Sequence, residues 1–343
     1  MSDNYKDVVD QMESFGVEWR KGDLPLKIGH PKRKGCGKGG KFWYRLSEFR
    51  PDAGGSYIVG RFGSYKSGES QKVEVDWKPL SDAERARRKA EWEAERAREA
   101  AVRAEDARIA ALSAHELWAT ASREGRSKYF ERKQVEPEAC RYLPDGSVVI
   151  PLLRYDWPRE SALVATQRIY PGPRFHFRTG EELPQKIYTK GFEKPGVSLR
   201  LGIVVPGELI LVAEGYATAL TIRMATDHAL PVFMALDAYN LPPVCALLAD
   251  LYPDERLLIC ADDDWKTRNH DGELWNAGRV KAKEAAKPLA RCDIVWPSFA
   301  GLERGDKHTD FNDLHVLGGL DRVRVQLDSV FNAIRRHRSP AAA

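Results

Sequence analysis

The sequence contains little cysteine and no long apolar run. Its 343 residues include five cysteines, none of which forms the C-x2-C pairs of a zinc ribbon or a redox motif. We therefore expect reduced thiols and no zinc. The longest apolar runs, at 209–213 and 257–261, are of strand length, whereas a membrane helix needs roughly 20 residues. The first fifteen residues lack the apolar segment of a secretory signal, so a cytoplasmic location is expected.

The overall charge is modest, but its distribution along the chain is uneven. The formal net charge is +4, with 43% hydrophobic and 30% charged residues, which is typical of a globular chain and excludes wholesale disorder. Between Lys27 and Arg50, eight Lys and Arg residues oppose a single acid, Glu48, and aromatic residues lie among them. Cations attract phosphates and exposed rings stack on unpaired bases, so this pattern predicts binding of single-stranded nucleic acid.

A solvated loop with a few core aromatics would have the same composition as this basic segment, and that alternative stays open. The candidate DNA-binding residues are Lys32, Arg33, Lys34, Lys38, Lys41, Trp43 and Tyr44. Within the segment, residues 35–41 have the spacing of a phosphate-binding P-loop, but Phe42 stands where a Ser or Thr is required. We therefore reject a P-loop. The Gly-rich segment that follows predicts short strands and hairpins.

Composition divides the chain into five segments. Residues 1–80 are predicted to be a small basic β-rich module. Residues 81–112 begin with the capping pair Ser81 and Glu84 and continue with Ala, Arg, Glu and Lys, without Gly or Pro, which predicts a long charged linker helix. Such a helix is a spacer or, alternatively, contacts nucleic acid through its arginines. Residues 113–205 form a second β-containing region, 206–300 alternate strands with helices, and 301–343 are a helical tail.

The alternating segment predicts a mostly parallel sheet flanked by helices. In such sheets the functional residues collect beyond the carboxyl ends of the strands, and acids follow three apolar strands here: Glu214, the run 262–264, and the later 310–313 segment. Residues two apart in an extended chain point the same way, so Asp262 and Asp264 can present two carboxylates to Mg²⁺. The alternative is a solvated acidic turn.

Other polar residues of this region are weaker candidates. Asp237 and Asn312 suit helix caps at least as well as a ligand role. His308 and His315 flank the 310–313 segment, but Mg²⁺ prefers oxygen ligands, so solvent-facing roles are expected for both.

These motifs resemble the Toprim domain of bacterial-type primases, topoisomerases and some nucleases. The resemblance rests on Glu214-Gly215-Tyr216-Ala217-Thr218-Ala219, then Asp262-Asp263-Asp264, then Asp310-Phe311-Asn312-Asp313. Upstream, 128–130, 146–151, 167–169 and 186–188 are similar to the Toprim primases of phages and plasmids. The resemblance covers about 113–330, and 60–68 followed by a charged helix is similar to the N-terminal part of some members.

The resemblance implies a Rossmann-like Toprim domain preceded by an α+β primase subdomain, and synthesis of short RNA primers on single-stranded DNA. It implies that Glu214, Asp262 and Asp264 are catalytic and bind Mg²⁺, for which Mn²⁺ can substitute, with Asp310 and Asp313 as further ligands. Lys186 would steer nucleoside triphosphates or template phosphates, and Arg168 and Lys190 are weaker candidates for that role. A phage-encoded chain would act in the host cytoplasm.

The chain also departs from the family pattern. It has no Cys and His set for the zinc module with which a cellular primase reads its start site, and no helicase motor follows. The basic segment is expected to bind template instead, and a replicative helicase would be a separate partner. A Toprim nuclease and a catalytically silent single-strand-binding factor remain alternatives. A topoisomerase is excluded because the chain has no room for the domain that carries its tyrosine.

Overall fold

The computed structural model describes residues 2–30, 32–52, 54–65, 67–75, 82–268 and 272–338. The backbone separates into two compact units, 1–104 and 105–343. Ser81 and the side chain of Glu84, on which the predicted capping pair depends, lie outside the described part. No helix within the described ranges is long and apolar enough to cross a membrane.

The first unit is an antiparallel sheet packed on a short helix. Helix α1 (Tyr5–Ser14) precedes strands β1 (Lys34–Cys36), β2 (Phe42–Phe49), β3 (Tyr57–Ser64) and β4 (Ser70–Lys72), which pair in the order β1-β2-β3-β4. The sequence analysis did not predict α1. Its signal is the i,i+4 pair Val8 and Met12, which are both fully buried in the core of this unit.

Two local features hold the elements of this unit together. The Asn4 side chain donates to the Ile58 carbonyl and accepts from the Ile58 amide, at 2.9 and 2.6 Å, which ties α1 to β3. Gly60 has φ +143°, and a Cβ there would lie 2.1 Å from the Arg45 carbonyl oxygen. Only glycine lets β3 approach β2 this closely.

The long charged helix α2 is Asp82–Thr120, so it extends beyond the predicted end near residue 112. Its described side chains are mostly exposed over 82–109, as expected for a charged helix. Within the first unit, Arg45 on β2 forms ion pairs with Glu95, at 2.8 Å, and with Glu99.

After the end of α2, the second unit continues with a short helix and a second antiparallel sheet. Helix α3 (Lys128–Lys133) is followed by β5 (Arg141–Tyr142), β6 (Val148–Leu153) and β7 (Leu163–Ile169). A two-stranded hairpin, β8 (Arg174–Phe175) with β9 (Glu182–Leu183), then leads to β10 (Lys186–Tyr188). The sheet order is β10-β7-β6-β5.

A five-stranded sheet follows, and its elements alternate as the sequence predicts. The order along the chain is β11 (Leu199–Leu201), β12 (Leu209–Ala213), α4 (Tyr216–Ala225), β13 (Val232–Met234), α5 (Leu241–Leu251), β14 (Arg256–Cys260), α6 (Ala277–Ala286), β15 (Cys292–Val295), α7 (Phe311–Gly318) and α8 (Leu320–Arg338). The sheet order is β11-β13-β12-β14-β15. Strands β12 to β15 are parallel, and only β11 runs antiparallel. The expectation of a mixed α/β protein is confirmed.

Helices cover both faces of this sheet. Ile210 and Val212 of β12 pack with α5 and α6 on one face, whereas Leu211 and Ala213 pack with α4, α7 and α8 on the other. Alternate residues of a strand point to opposite faces, so an all-apolar strand such as β12 needs cover on both sides. The second of these cores also contains Ile150 and Leu152 of β6, which joins the antiparallel sheet to the parallel one.

Asn312 fastens three helices of the second unit together. It is fully buried in α7, and its Nδ2 donates to the Lys133 carbonyl of α3 at 2.7 Å and to Thr221 Oγ1 of α4 at 2.9 Å. Of the two roles considered for Asn312, the helix cap does not apply, because Asp310 occupies the N-cap of α7.

We predict that Asn312→Ala lowers the free energy of unfolding by about 1–3 kcal/mol, because it leaves buried acceptors without their donor. Urea denaturation followed by circular dichroism measures this loss. The matched control is Asn332→Ala on α8, whose side chain is exposed and which should change stability by less than about 0.5 kcal/mol. Equal effects of the two variants would contradict the role of Asn312.

Candidate active site

Carboxylates converge at the carboxyl edge of the parallel sheet. Glu214 directly follows β12, and Asp262 and Asp264 lie just beyond β14, its parallel neighbour. Asp310 and Asp313 belong to the first turn of α7. The structure thus brings together the five carboxylates that the sequence analysis singled out.

Short contacts join the first two strand ends. The Asp262 amide donates to Glu214 Oε1 at 3.2 Å, and the Gly278 amide in the first turn of α6 donates to Asp264 Oδ2 at 3.0 Å. A Cβ at Gly278 would lie 2.3 Å from the Asp262 carbonyl oxygen and 2.9 Å from Glu214 Oε1. The missing side chain of Gly278 therefore makes room for this approach. Sequence reasoning overlooked Gly278, since an isolated glycine inside a helical pattern carries no such signal.

The two carboxylates of α7 form a capping box. Asp310 Oδ1 accepts from the Asp313 amide at 2.8 Å, and Asp313 Oδ2 accepts from the Asp310 amide at 3.4 Å and from the Thr309 amide at 2.9 Å. Lys133 of α3 approaches Asp313 Oδ1 at 3.6 Å. Lys133 also lies outside the sequence expectations.

Burial and nearby negative charge raise the pKa of three of these carboxylates, Glu214, Asp262 and Asp310. Burial raises the pKa of Glu214 to about 8, with Asp264, Asp237 and Asp310 adding repulsion and the Asp262 amide opposing it. Burial raises the pKa of Asp262 well above its usual range, and the nearby Glu214 and Asp310 charges act in the same direction. Burial, then the Asp313 charge, raises the pKa of Asp310. Removal from water and mutual repulsion both disfavour the charged forms.

The middle aspartate of the triplet points elsewhere. Asp263 is buried, its Oδ2 accepts from Arg304 Nη1 at 2.9 Å, and its Oδ1 accepts from Asn276 Nδ2 at 2.6 Å. The Arg279 guanidinium lies 2.7 Å from the same Oδ1. This alternation leaves Asp262 and Asp264 beside Glu214, while two arginines neutralise Asp263. The sequence analysis did not assign Asp263 this separate role.

Among the basic candidates, Lys186 is the one that faces the carboxylates. It begins β10, and the charges of Asp310, Asp262 and Asp313 act on its amine, although desolvation has the largest effect and lowers its pKa. Arg168 lies on β7 and is paired with Ile187 of the neighbouring strand β10, not with Lys186. Its side chain therefore projects from the opposite face, where it forms an ion pair with Asp145 at 2.5 Å. Lys190 is exposed beyond β10.

The structure agrees with the cap role considered for Asp237 and changes the expectation for His315. Asp237 accepts from the Asn240 amide at 3.2 Å and forms an ion pair with Lys194 at 2.7 Å, as suits a cap. His315 was expected to face solvent, but it is buried and its Nε2 lies 2.8 Å from the Gln134 carbonyl. His308 is half-buried and stacks on Phe299. Packing of α7 against α3 covers His315.

The basic segment of the first unit presents cations but not the expected rings. Lys32, Arg33, Lys38 and Lys41 are exposed and Lys34 is half-buried. Tyr44 belongs to the core, and its hydroxyl accepts from the Lys27 amide at 3.0 Å. Trp43 is buried beneath the Arg33 guanidinium, 3.9 Å from the ring centroid. The expectation that these two rings are exposed for base stacking is wrong, because both faces of β2 are covered at this point.

The carboxylate cluster fits a hard cation chemically. Asp262 Oδ1 is a buried oxygen without a hydrogen-bond partner, and the five carboxylates have the lysines Lys133 and Lys186 as neighbours. Buried charge of one sign requires a counter-charge. Over the described ranges, no three His, Cys, Asp or Glu side chains already stand in ligand positions around one point, so binding would require side-chain rotation.

We predict that the free energy of unfolding, measured in EDTA, falls as the pH rises from about 4.5 to about 8. The unfolded chain ionises Glu214 over this range while the folded protein keeps it protonated. Glu214→Gln should reduce this slope and raise stability at pH 8, while the raised pKa values of Asp262 and Asp310 sustain part of the fall. Glu208→Gln, at the exposed opposite end of β12, is the control. An unchanged slope in Glu214→Gln would refute the assignment.

Comparison with known proteins gives one clear relationship. The chain is 30% identical over 248 residues to the DNA primase TraC of Escherichia coli, a match that covers 71% of this chain and 22% of that protein. A second Escherichia coli protein, also described as DNA primase TraC, is 31% identical over 121 residues, 34% of this chain and 8% of its own length. The chain thus spans about a fifth or less of these relatives. No protein-family model matches it.

Two solved structures are more distant. The primase fragment of the bacteriophage T7 primase-helicase has 17% identity and a TM-score of 0.36, over 58% of this chain and 70% of that one. The RNA polymerase domain of Mycobacterium tuberculosis primase DnaG has 15% identity and a TM-score of 0.34, over 58% and 61%. TM-scores this low do not define the fold. The identity to TraC over most of the sequence does establish descent: the chain is a homologue of part of the DNA primase TraC.

Proposed function

We propose that this chain is a DNA primase that synthesises short RNA primers on single-stranded DNA during phage or plasmid replication. The observation that carries the proposal is the convergence of Glu214, Asp262, Asp264 and Asp310 at one sheet edge, opposite Lys186, in a homologue of a DNA primase. We further propose that the five-stranded sheet with its helices is a Toprim domain and that the antiparallel sheet before it is the primase subdomain.

Divalent cations fit the excess of carboxylates. We propose that Asp262, Asp264 and Glu214 hold Mg²⁺, with Asp310 and Asp313 as further ligands and Mn²⁺ as a substitute. When bound, such ions stabilise the attacking 3′-hydroxyl and the leaving pyrophosphate. Asp262 supplies an oxygen that has no other partner. Without a metal, burial raises the pKa of Glu214 to about 8, so it could move a proton near neutral pH. A cation bound to Glu214 would instead favour the ionised carboxylate.

The lysines opposite the carboxylates suit a triphosphate. Lys133 and Lys186 come from α3 and β10, on the primase-subdomain side of the site. We propose that they orient the phosphates of the incoming nucleotide, since each ammonium offers three donors and a positive charge. Arg168, on the other face of β7, and Lys190 are proposed as outer contacts for template phosphates.

The first unit is proposed to hold template through charge alone. The exposed Lys32, Arg33, Lys38 and Lys41, with the half-buried Lys34, offer contacts to a sugar-phosphate backbone. Trp43 and Tyr44 act in this proposal only by supporting the sheet. A replicative helicase is proposed as the separate partner that exposes the template.

The test is incorporation of labelled ribonucleotides on an unprimed single-stranded template with Mg²⁺ or Mn²⁺. We expect the wild type to make oligonucleotides and Asp262→Ala/Asp264→Ala to reduce synthesis by at least about a hundredfold. The matched control is Asp250→Ala/Asp254→Ala, two exposed aspartates before β14, which should retain activity.

Other outcomes separate the alternatives. Degradation of the template that is lost in Asp262→Ala/Asp264→Ala would identify a nuclease. Binding of the template without synthesis or degradation would favour a silent single-strand-binding factor. Either result would overturn the primase proposal.

Gly278→Ala tests the close approach beside Glu214. The added methyl group must displace the Asp262 carbonyl or Glu214 Oε1, and shifts of about 1 Å in a catalytic site can reduce rates by about a hundredfold. We expect primer synthesis to fall by this order while far-ultraviolet circular dichroism stays close to wild type. Full activity of Gly278→Ala would show that the approach is not needed for catalysis.

A further inference from the structure

The hairpin β8–β9 displays two aromatic rings that nothing in the carboxylate site uses. Phe175 is 62% exposed and Phe177 is 84% exposed, the largest value among the exposed large apolar side chains of the described residues. The sequence analysis did not single out either ring. Exposed aromatic groups that lie together mark binding surfaces more often than isolated surface residues do.

The exposed tip is an ordered turn. The His176 amide donates to the Glu181 carbonyl, and the Gly180 amide donates to the His176 carbonyl, both at 2.8 Å. The His176 ring stacks on Phe177, with 5.3 Å between centroids and 29° between planes. The turn and the Phe177 ring are therefore ordered before any ligand arrives, which reduces the entropy lost on binding.

Guanidinium groups accompany the rings. Arg178 lies 5.0 Å from the Phe177 ring centroid, and Arg174 lies 3.7 Å from that of Tyr170 at the base of the hairpin. The hairpin also carries two acids: Glu181 precedes β9, and Glu182 on β9 is paired directly with Phe175. Aromatic faces beside arginines are the surface chemistry that binds unpaired bases and their phosphates.

The hairpin is anchored next to the candidate active site. At its base the Tyr170 amide donates to the Gln185 carbonyl at 2.9 Å, one residue before Lys186. Arg132 Nη1 donates to the Pro171 carbonyl at 2.7 Å, and Arg132 precedes Lys133 on α3. Each lysine that faces the carboxylates is therefore adjacent in sequence to a residue that anchors the hairpin: Lys186 follows Gln185, and Lys133 follows Arg132.

We propose that the β8–β9 hairpin is a stacking platform for single-stranded polynucleotide. Bases stack on Phe175 and Phe177, and Arg174 and Arg178 contact phosphates. The ligand is the template DNA or the new RNA strand, which share unpaired bases and a phosphodiester backbone. This role rests on the proposed function, because it supplies a strand to the carboxylate site.

The test is fluorescence anisotropy of the full chain in EDTA with labelled oligothymidylate of about 16 nucleotides. Phe175→Ala/Phe177→Ala should raise Kd about tenfold to a hundredfold. The matched control Ile203→Ala, another exposed apolar side chain of the second unit, should leave Kd unchanged. Phe177→Trp should retain affinity and Phe177→Leu should lose it, since only a ring can stack. Arg178→Gln should reduce the slope of log affinity against log salt by about 0.7.

Parallel titrations separate the two strands. A greater loss with oligothymidylate assigns the hairpin to the template, a greater loss with oligouridylate assigns it to the primer, and equal losses support binding of both. Unchanged Kd for both, or an equal loss with a blunt duplex, overturns the proposal. The proposal is also overturned if the wild type is a dimer and Phe175→Ala/Phe177→Ala is a monomer, because the rings would then contact a second copy of the chain.

The same variants distinguish this proposal from the primase proposal. Asp262→Ala/Asp264→Ala should abolish synthesis yet bind oligothymidylate as the wild type does. If the wild type makes no primers but Phe175→Ala/Phe177→Ala weakens oligothymidylate binding, the primase proposal is overturned and the stacking platform is kept. If the wild type makes primers and Phe175→Ala/Phe177→Ala leaves Kd unchanged, the primase proposal is kept and the stacking platform is overturned.

Discussion

The structure of the second unit is organised around the repulsion between carboxylates at one edge of a parallel sheet. Parallel pairing of β12 with β14 carries Glu214 and Asp262 to the same edge, and burial there raises the pKa of both. An arrangement that disfavours its own ionisation persists only where the surrounding fold stabilises it. Neighbouring groups at this edge reduce the repulsion or make room for the carboxylates.

Three local devices do so by different means. Asp263 is turned away and neutralised by Arg304 and Arg279. Gly278 removes a side chain where the Asp262 carbonyl and Glu214 need space. Helix α7 satisfies Asp310 and Asp313 through its own capping box, and Asn312 anchors that helix to α3 and α4. The cluster thus combines charge pairing, close backbone approach and helix capping.

The antiparallel sheet supplies the positive side of the site. Its strand β10 contributes Lys186, while α3 contributes Lys133, and the core shared by β6, β12 and α4 holds these elements in one unit. Aromatic side chains that lie near cations in sequence are buried in the first unit and exposed in the second. Trp43 and Tyr44 support the N-terminal sheet, whereas Phe175 and Phe177 stand in solvent on an ordered hairpin. Aromatic residues beside cations in sequence therefore have opposite roles in the two places.

The sequence by itself determined the alternation of strands and helices after residue 208 and the positions of the acids just beyond strand ends, because both follow from local periodicity and from strand direction. Tertiary structure decided which polar residues meet those acids. Lys133 reaches Asp313, and His315 is buried against Gln134, across about 180 residues of chain, a separation at which no local pattern carries information. The same holds for Trp43 and Tyr44: adjacent residues of a strand point to opposite faces, and the packing of the rest of the unit decides whether either face meets water.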